Sequence, residues 1–187
     1  MSVMSKHPLS QRDGVPPLPK TIRVLHWATA GLLVVLFALA WSFEGIGPSD
    51  LGVTLVDLHR SFGLLLFLVV VARLAWRATH RIDPMPEASP RWERFLASAV
   101  QSALLLCLVA MPILGWVASA LSGETIRAFG FPLPDLLAMN EDRSDGFFEL
   151  HEAVAWVLIV LVALHVAGAL RHHFVKRDGL IGRMRIW

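Results

Sequence analysis

Eight histidines occur in the 187 residues, and five fall within or at the ends of apolar stretches: His26, His59, His151, His165 and His172. An imidazole binds metals, titrates near neutrality and is costly to place in hydrocarbon, so each of these is a candidate for chemistry. Their spacing sorts them. His151 and His165 stand fourteen residues apart, about 21 Å along a helix and close to four whole turns, so they share one face at two depths. His26 lies one turn into the first apolar stretch, near the level of His165, and His59 opens the second, near the level of His151. The pairs are therefore His26 with His165 and His59 with His151. Two imidazoles from facing helices of a four-helix bundle supply both axial bonds of a haem iron. Such an iron has no open position, which favours electron transfer over ligand chemistry at the metal. The two levels are too far apart for one dinuclear metal centre, and no carboxylate joins the inner pair.

The other histidines read differently. His7 sits in a polar tail and His80 just past the second stretch, as interfacial residues do. His172 follows His165 by seven residues, so it faces the same way about 10 Å nearer the end of the helix. There an imidazole either carries a proton at the interface, or anchors the helix beside Arg171. His173 points about 100° away, toward headgroups.

Positioning these residues calls for helices in a bilayer. The chain is 55% hydrophobic and 17% charged, with a mean hydropathy of +0.58, outside the range of soluble domains. Four stretches reach the length that a bilayer core needs: about Ile22 to Trp41, Leu58 to Trp76, Phe95 to Leu121 and Leu150 to Leu170. The third contains Pro112, which predicts a kink. Trp27, Trp41, Trp76 and Trp92 lie near the ends, as an interfacial belt requires. The first stretch reads as a retained span, since it is longer than the core of a cleaved signal. The fold class is thus an all-α integral membrane protein, a bundle of four transmembrane helices over residues 20–187 with a mobile tail at 1–19. Small residues near the histidines leave room for a flat macrocycle: Ala28, Ala30 and Gly31, then Gly63, then Ala163, Ala167 and Gly168. The lone Cys107 excludes an internal disulfide and Cys-rich zinc, and without C-x-x-C-H there is no covalent haem attachment.

Charge sets the orientation. Basic residues gather before the first span (Lys6, Arg12, Lys20, Arg23), around the second connection (Arg73, Arg77, Arg81, Arg91, Arg94) and after the fourth span (Arg171, Lys176, Arg177, Arg183, Arg185). Only Arg60, Arg127 and Arg143 lie opposite, among Glu44, Asp50, Asp57, Glu124, Asp135, Glu141, Asp142 and Asp145. The positive-inside rule puts both termini in the cytoplasm. The net charge of +2 therefore reports topology and no nucleic-acid partner. Asp83-Pro84-Met85-Pro86 reads as a turn-rich connector, and the loop at about 122–148, with Phe129-Gly130-Phe131-Pro132-Leu133-Pro134, as an outer lid. Arg60, beside His59, is the outer cation best placed to attract an anion or to hold a haem propionate.

At these residues the chain resembles the bacterial cytochrome b561 family of di-haem, quinone-linked membrane cytochromes. The pieces are Leu25-His26-Trp27, Leu58-His59-Arg60-Ser61-Phe62-Gly63, Leu150-His151-Glu152, Leu164-His165, Leu170-Arg171-His172-His173-Phe174 and the ending Lys176-Arg177-Asp178-Gly179-Leu180 with Arg183-Met184. The similarity spans about residues 20–186. It implies two haem b groups held by His26, His165, His59 and His151, a bacterial inner-membrane location and a quinone end near His172 and His173. It also implies oxidation of superoxide with ubiquinone as acceptor, so that His172 and Arg60 are the expected catalytic residues. The alternative is an electron-transfer and anchor subunit without catalysis of its own, whose acidic outer loops suit a basic periplasmic redox protein. A haem-free transporter would need polar, broken helices at the midplane, and only Pro112 hints at one.

Overall fold

A computed structural model describes residues 17–80, 90–134 and 136–186. The tail before residue 17 and the Asp83–Pro86 connector lie outside the described residues. Four long helices follow in order: α1 (Lys20–Ile46), α2 (Asp50–Thr79), α3 (Arg91–Leu121) and α4 (Glu141–Arg171). All four are long and apolar enough to cross a membrane, and the protein is a multi-pass membrane protein. Their outward faces are apolar: Val34 and Leu106 are both 71% exposed, a surface that only lipid covers without penalty.

α1 packs on α2, α2 on α3 and α3 on α4, whereas neither α1 nor α2 packs closely against α4. The bundle closes at its middle instead. Leu36, Leu66, Val70, Leu108 and Leu158, with at least one from each helix, form a buried apolar core. Leu158 stands seven residues from both His151 and His165, so this core separates the two histidine levels.

The helices outrun the apolar stretches read from sequence. Ser49 caps α2 by accepting the Gly52 amide at 3.0 Å, and Asn140 caps α4 by accepting the Arg143 amide at 3.0 Å. Glu141 and Asp142 fill the first turn of α4, where negative charge suits the helix dipole. These polar first turns extend α2 and α4 past the hydrocarbon, and so His59 and His151 lie well inside their helices rather than at the starts. Helix α3 runs on as one element through Pro112.

The outer loop holds a small antiparallel pair, β1 (Arg127–Ala128) and β2 (Phe131–Pro132). Phe129 and Gly130 turn it with φ of 51° and 86°, the two positive values of a tight hairpin turn. The Phe129 amide donates to the buried Ser61 hydroxyl at 2.8 Å, and Phe129 meets Phe62 edge to face. The expected lid is therefore a hairpin fixed to α2.

At the opposite end the chain folds back on itself. A π-helical turn (His172–Lys176) follows α4, and a 3-10 turn (Leu180–Met184) then reaches α1. The Leu18 amide donates to the Arg183 carbonyl at 3.0 Å, and the Trp27 indole donates to the Met184 carbonyl at 2.9 Å. Arg23 also bonds the Arg185 carbonyl. The buried Glu93, in the first turn of α3, takes Arg171 at 2.9 Å and also Lys176. Both cations lie at the π-helical turn, so Glu93→Ala is expected to free that turn. The check is a lower melting temperature in detergent together with faster proteolysis at the C-terminus, while Glu93→Asp keeps part of the clamp.

Candidate functional site

Each pair expected from the spacing meets across the bundle. The rings of His59 (α2) and His151 (α4) have centres 6.4 Å apart at 70°, and those of His26 (α1) and His165 (α4) lie 6.1 Å apart at 63°. A metal–imidazole bond of about 2 Å on each side, with about 1.2 Å from nitrogen to ring centre, sets two coaxial ligands about 6.4 Å apart. Among the described residues no cluster of three metal-binding side chains forms. Two imidazoles at each level are too few for tetrahedral zinc and match the axial demand of a planar macrocycle.

Backbone carbonyls orient the outer pair. His59 Nδ1 lies 3.1 Å from the Leu36 carbonyl, and His151 Nδ1 lies 3.0 Å from that of Met111. With a proton on Nδ1 donated to the carbonyl, Nε2 is left as the lone-pair nitrogen of each ring. Gly115 permits this: a Cβ there would stand 3.1 Å from His151 Cε1. Met111 and Gly115 bracket Pro112, so the proline turn of α3 carries both the carbonyl and the space for His151. Phe43 packs edge-on against His59. The inner pair is held differently, since His26 Nδ1 is sealed from solvent with no hydrogen-bond partner.

Two glycines close in sequence to the rings leave open positions. Gly63, one turn after His59, and Gly168, one turn after His165, have nothing within 4 Å of where a Cβ would be. Neither α1 nor α2 closes on α4, which leaves the helices bearing paired imidazoles apart.

Arg60 is engaged on several sides. Its Nε donates to Ser119 Oγ at 3.2 Å, Asp57 lies 3.5 Å away, and Glu124 pairs with it. Together with Phe43, Val56, Glu124 and Arg127 it lines an outer cleft of about 480 Å³. The two arginines of this cleft are offset by Asp57 and Glu124.

His172 opens the π-helical turn and is half-buried. Its Nδ1 lies 2.6 Å from Asp178 Oδ2, and Asp178 Oδ1 accepts the Leu180 amide at 3.1 Å. His173 is exposed against Phe174. His80 stacks on Trp76 with ring centres 3.7 Å apart, at the end of α2.

A family model described as prokaryotic cytochrome b561 matches residues 18–185. The chain belongs to the prokaryotic cytochrome b561 family. It is 35% identical over 162 residues to cytochrome b561 homolog 2 of Escherichia coli K12, covering 85% of this chain and 86% of that one. Cytochrome b561 homolog 1 of the same organism is 26% identical, over 88% of this chain and 94% of its own. A protein of Yersinia pestis named probable superoxide oxidase CybB is 27% identical, over 86% and 90%. Cytochromes b561 are helical membrane proteins that bind haem b and transfer electrons, and the paired imidazoles and open glycine positions fit that group.

Several residues at these sites escaped the sequence reading. Gly115 and Met111 act through space and backbone, which carry no compositional signal. Ser61 and Glu93 become meaningful only once the loop and the C-terminal turn are placed. Arg73, near the inner pair, did have a signal, since it follows His59 by the same fourteen residues that separate His151 from His165.

Two outcomes are expected. Gly115→Leu forces a side chain into the His151 ring and lowers the haem bound per chain. Gly146→Ala, where nothing lies within 4 Å, leaves the haem content unchanged. Haem quantified as its pyridine complex decides both. The second outcome concerns acid. Burial alone would raise the Asp178 carboxyl, but His172, the Leu180 amide and Lys176 outweigh it and hold that carboxyl below its usual value. A depressed carboxylate stabilises the fold above its unfolded pKa of about 3.9 and loses that contribution as pH falls through the folded one. The C-terminal turn is expected to loosen below about pH 4, read by limited proteolysis, and Asp178→Asn removes that acid step.

Proposed function

We propose that this cytochrome b561 is a di-haem oxidoreductase of the bacterial inner membrane. It takes electrons from a donor at the outer face and passes them to ubiquinone at the cytoplasmic face, with superoxide as the donor. The observation that carries this reading is the pair of imidazole clasps, 6.4 and 6.1 Å between ring centres, on opposite sides of the apolar core. His59 and His151 hold the outer haem, and His26 and His165 hold the inner one. With two histidines given to each haem b, the group would supply a one-electron carrier and leave substrate to react away from the iron.

The chain's own residues do the rest. The Leu36 and Met111 carbonyls keep the outer rings in one tautomer and orientation. Arg60 and Arg127 line the outer cleft beside Phe43, where their N–H groups would hydrogen-bond a small anion while Asp57 and Glu124 keep Arg60 in place. The relative named probable superoxide oxidase supports superoxide as that anion. Two superoxide anions each give up one electron and leave as dioxygen. Ubiquinone takes both electrons and two protons to become quinol. At the inner end, His172 donates through Nδ1 to Asp178, so Nε2 is the nitrogen that takes a proton from the cytoplasm, donates it in a hydrogen bond to a quinone carbonyl and hands it over.

A second reading rests on the outer hairpin, where Phe129 is 54% and Phe131 76% exposed. With the acidic outer loops, this surface would dock a basic periplasmic redox protein, and the chain would serve as its electron-transfer anchor. Stoichiometric co-purification of such a protein favours this reading over direct superoxide oxidation.

The first test is a dithionite-reduced minus oxidised spectrum with haem quantified per chain. Two b haems are expected, and a single haem in the wild-type protein would break the paired assignment. His59→Ala or His151→Ala is expected to leave one haem and to abolish oxidation from the outer side. His172→Ala is expected to keep both haems and slow quinone reduction by about 100-fold. Unchanged quinone reduction in that variant would remove His172 from the scheme.

A further inference from the structure

Arg73 occupies α2 at the depth of the inner imidazoles, four helical turns below His59. It lies within electrostatic reach of both His26 and His165. Its Nε is sealed from solvent without a hydrogen-bond partner. Among the described residues no carboxylate pairs with it, whereas Arg60 has two and Arg171 and Lys176 share one. A half-buried guanidinium with a sealed nitrogen and, among the described residues, no counter-charge is costly, so a group carrying carboxylates is the natural partner for this one.

The two histidine levels also differ in how their rings are held. His59 and His151 both point Nδ1 at backbone carbonyls, while His26 Nδ1 has no partner. An imidazole that donates through Nδ1 is the more basic ligand and stabilises oxidised iron. A fixed cation beside the metal does the opposite, since it favours the state with less positive charge. Both differences act in the same direction.

We propose that Arg73 pairs with a propionate of the inner haem and, through its charge, gives that haem the higher reduction potential of the two. This rests on the assignment of His26 and His165 as the inner ligands. Its consequence is that an electron arriving from outside settles at the inner site, next to the His172 end, and does not return.

The test is a redox titration of purified holoprotein, followed in the α-band. Wild-type protein is expected to show two components, and His26→Ala to remove the one of higher potential. In Arg73→Gln the higher component shifts downward while the lower one stays in place, and Arg73→Lys keeps most of the wild-type separation. Should Arg73→Gln shed a haem, retention of both in Arg73→Lys still supports a charge-based anchor. Both haems retained at unchanged potentials in Arg73→Gln would overturn the proposal, as would loss of the lower component in His26→Ala. Full haem content in His26→Ala would instead sink the ligand assignment beneath it, so the two failures are distinguishable.

Discussion

An imidazole within a membrane must find something to bind, because hydrocarbon offers neither hydrogen bonds nor screening for its dipole. Four imidazoles in this chain are placed under that constraint, and the rest of the architecture follows from satisfying it twice. Helix α4 supplies one ring at each depth. Helices α1 and α2 each supply a partner while standing off from α4, so that the approach is between side chains rather than backbones. Helix α3 contributes no histidine. It takes the role of a support, packed closely on α4, with a carbonyl and a glycine in its proline turn shaped around His151.

The ends of the bundle are fastened by different means. Outside, one buried hydroxyl and one arginine tie the loop to α2, since Ser61 receives the hairpin and Arg60 reaches across to Ser119 and Glu124. Inside, a buried carboxylate gathers two cations from the end of α4, and the returning chain is bonded to the start of α1. Hydrophobic packing alone is a weak adhesive between helices in lipid, where tails are as apolar as the side chains they replace. Polar fastenings at the water-facing ends therefore carry much of the burden of holding the four helices in register.

The histidine pairing was legible because helix periodicity converts residue number into depth and direction without any tertiary information. The spacing of His151 and His165 gives both at once, and the apolar stretches around His26 and His59 supply the matching levels. The helix limits were less legible. Polar first turns such as Glu141–Asp142 continue a helix beyond the hydrocarbon, and hydropathy does not register them. The role of Arg60 was only partly readable, since its ion pairs involve Glu124, far away in sequence. The hairpin was hidden because its strands have two residues each, and they depend on a hydroxyl of another helix. Asp178 stood in the matched C-terminal pattern, but its bond to His172 needs a π-helical turn that no periodic signal announces.

The apolar core between the two histidine levels has an electrical meaning. Leu36, Leu66, Val70, Leu108 and Leu158 form a buried apolar layer there, and such side chains offer water and ions no hydrogen bond. A charge that passes between the haems under the proposed scheme would cross that apolar layer without an accompanying proton. Neutralisation then has to come from the far side, where the acceptor draws its protons from the cytoplasm. The leucine layer would thus act as the insulator of a capacitor, and each turnover would charge the membrane, negative inside.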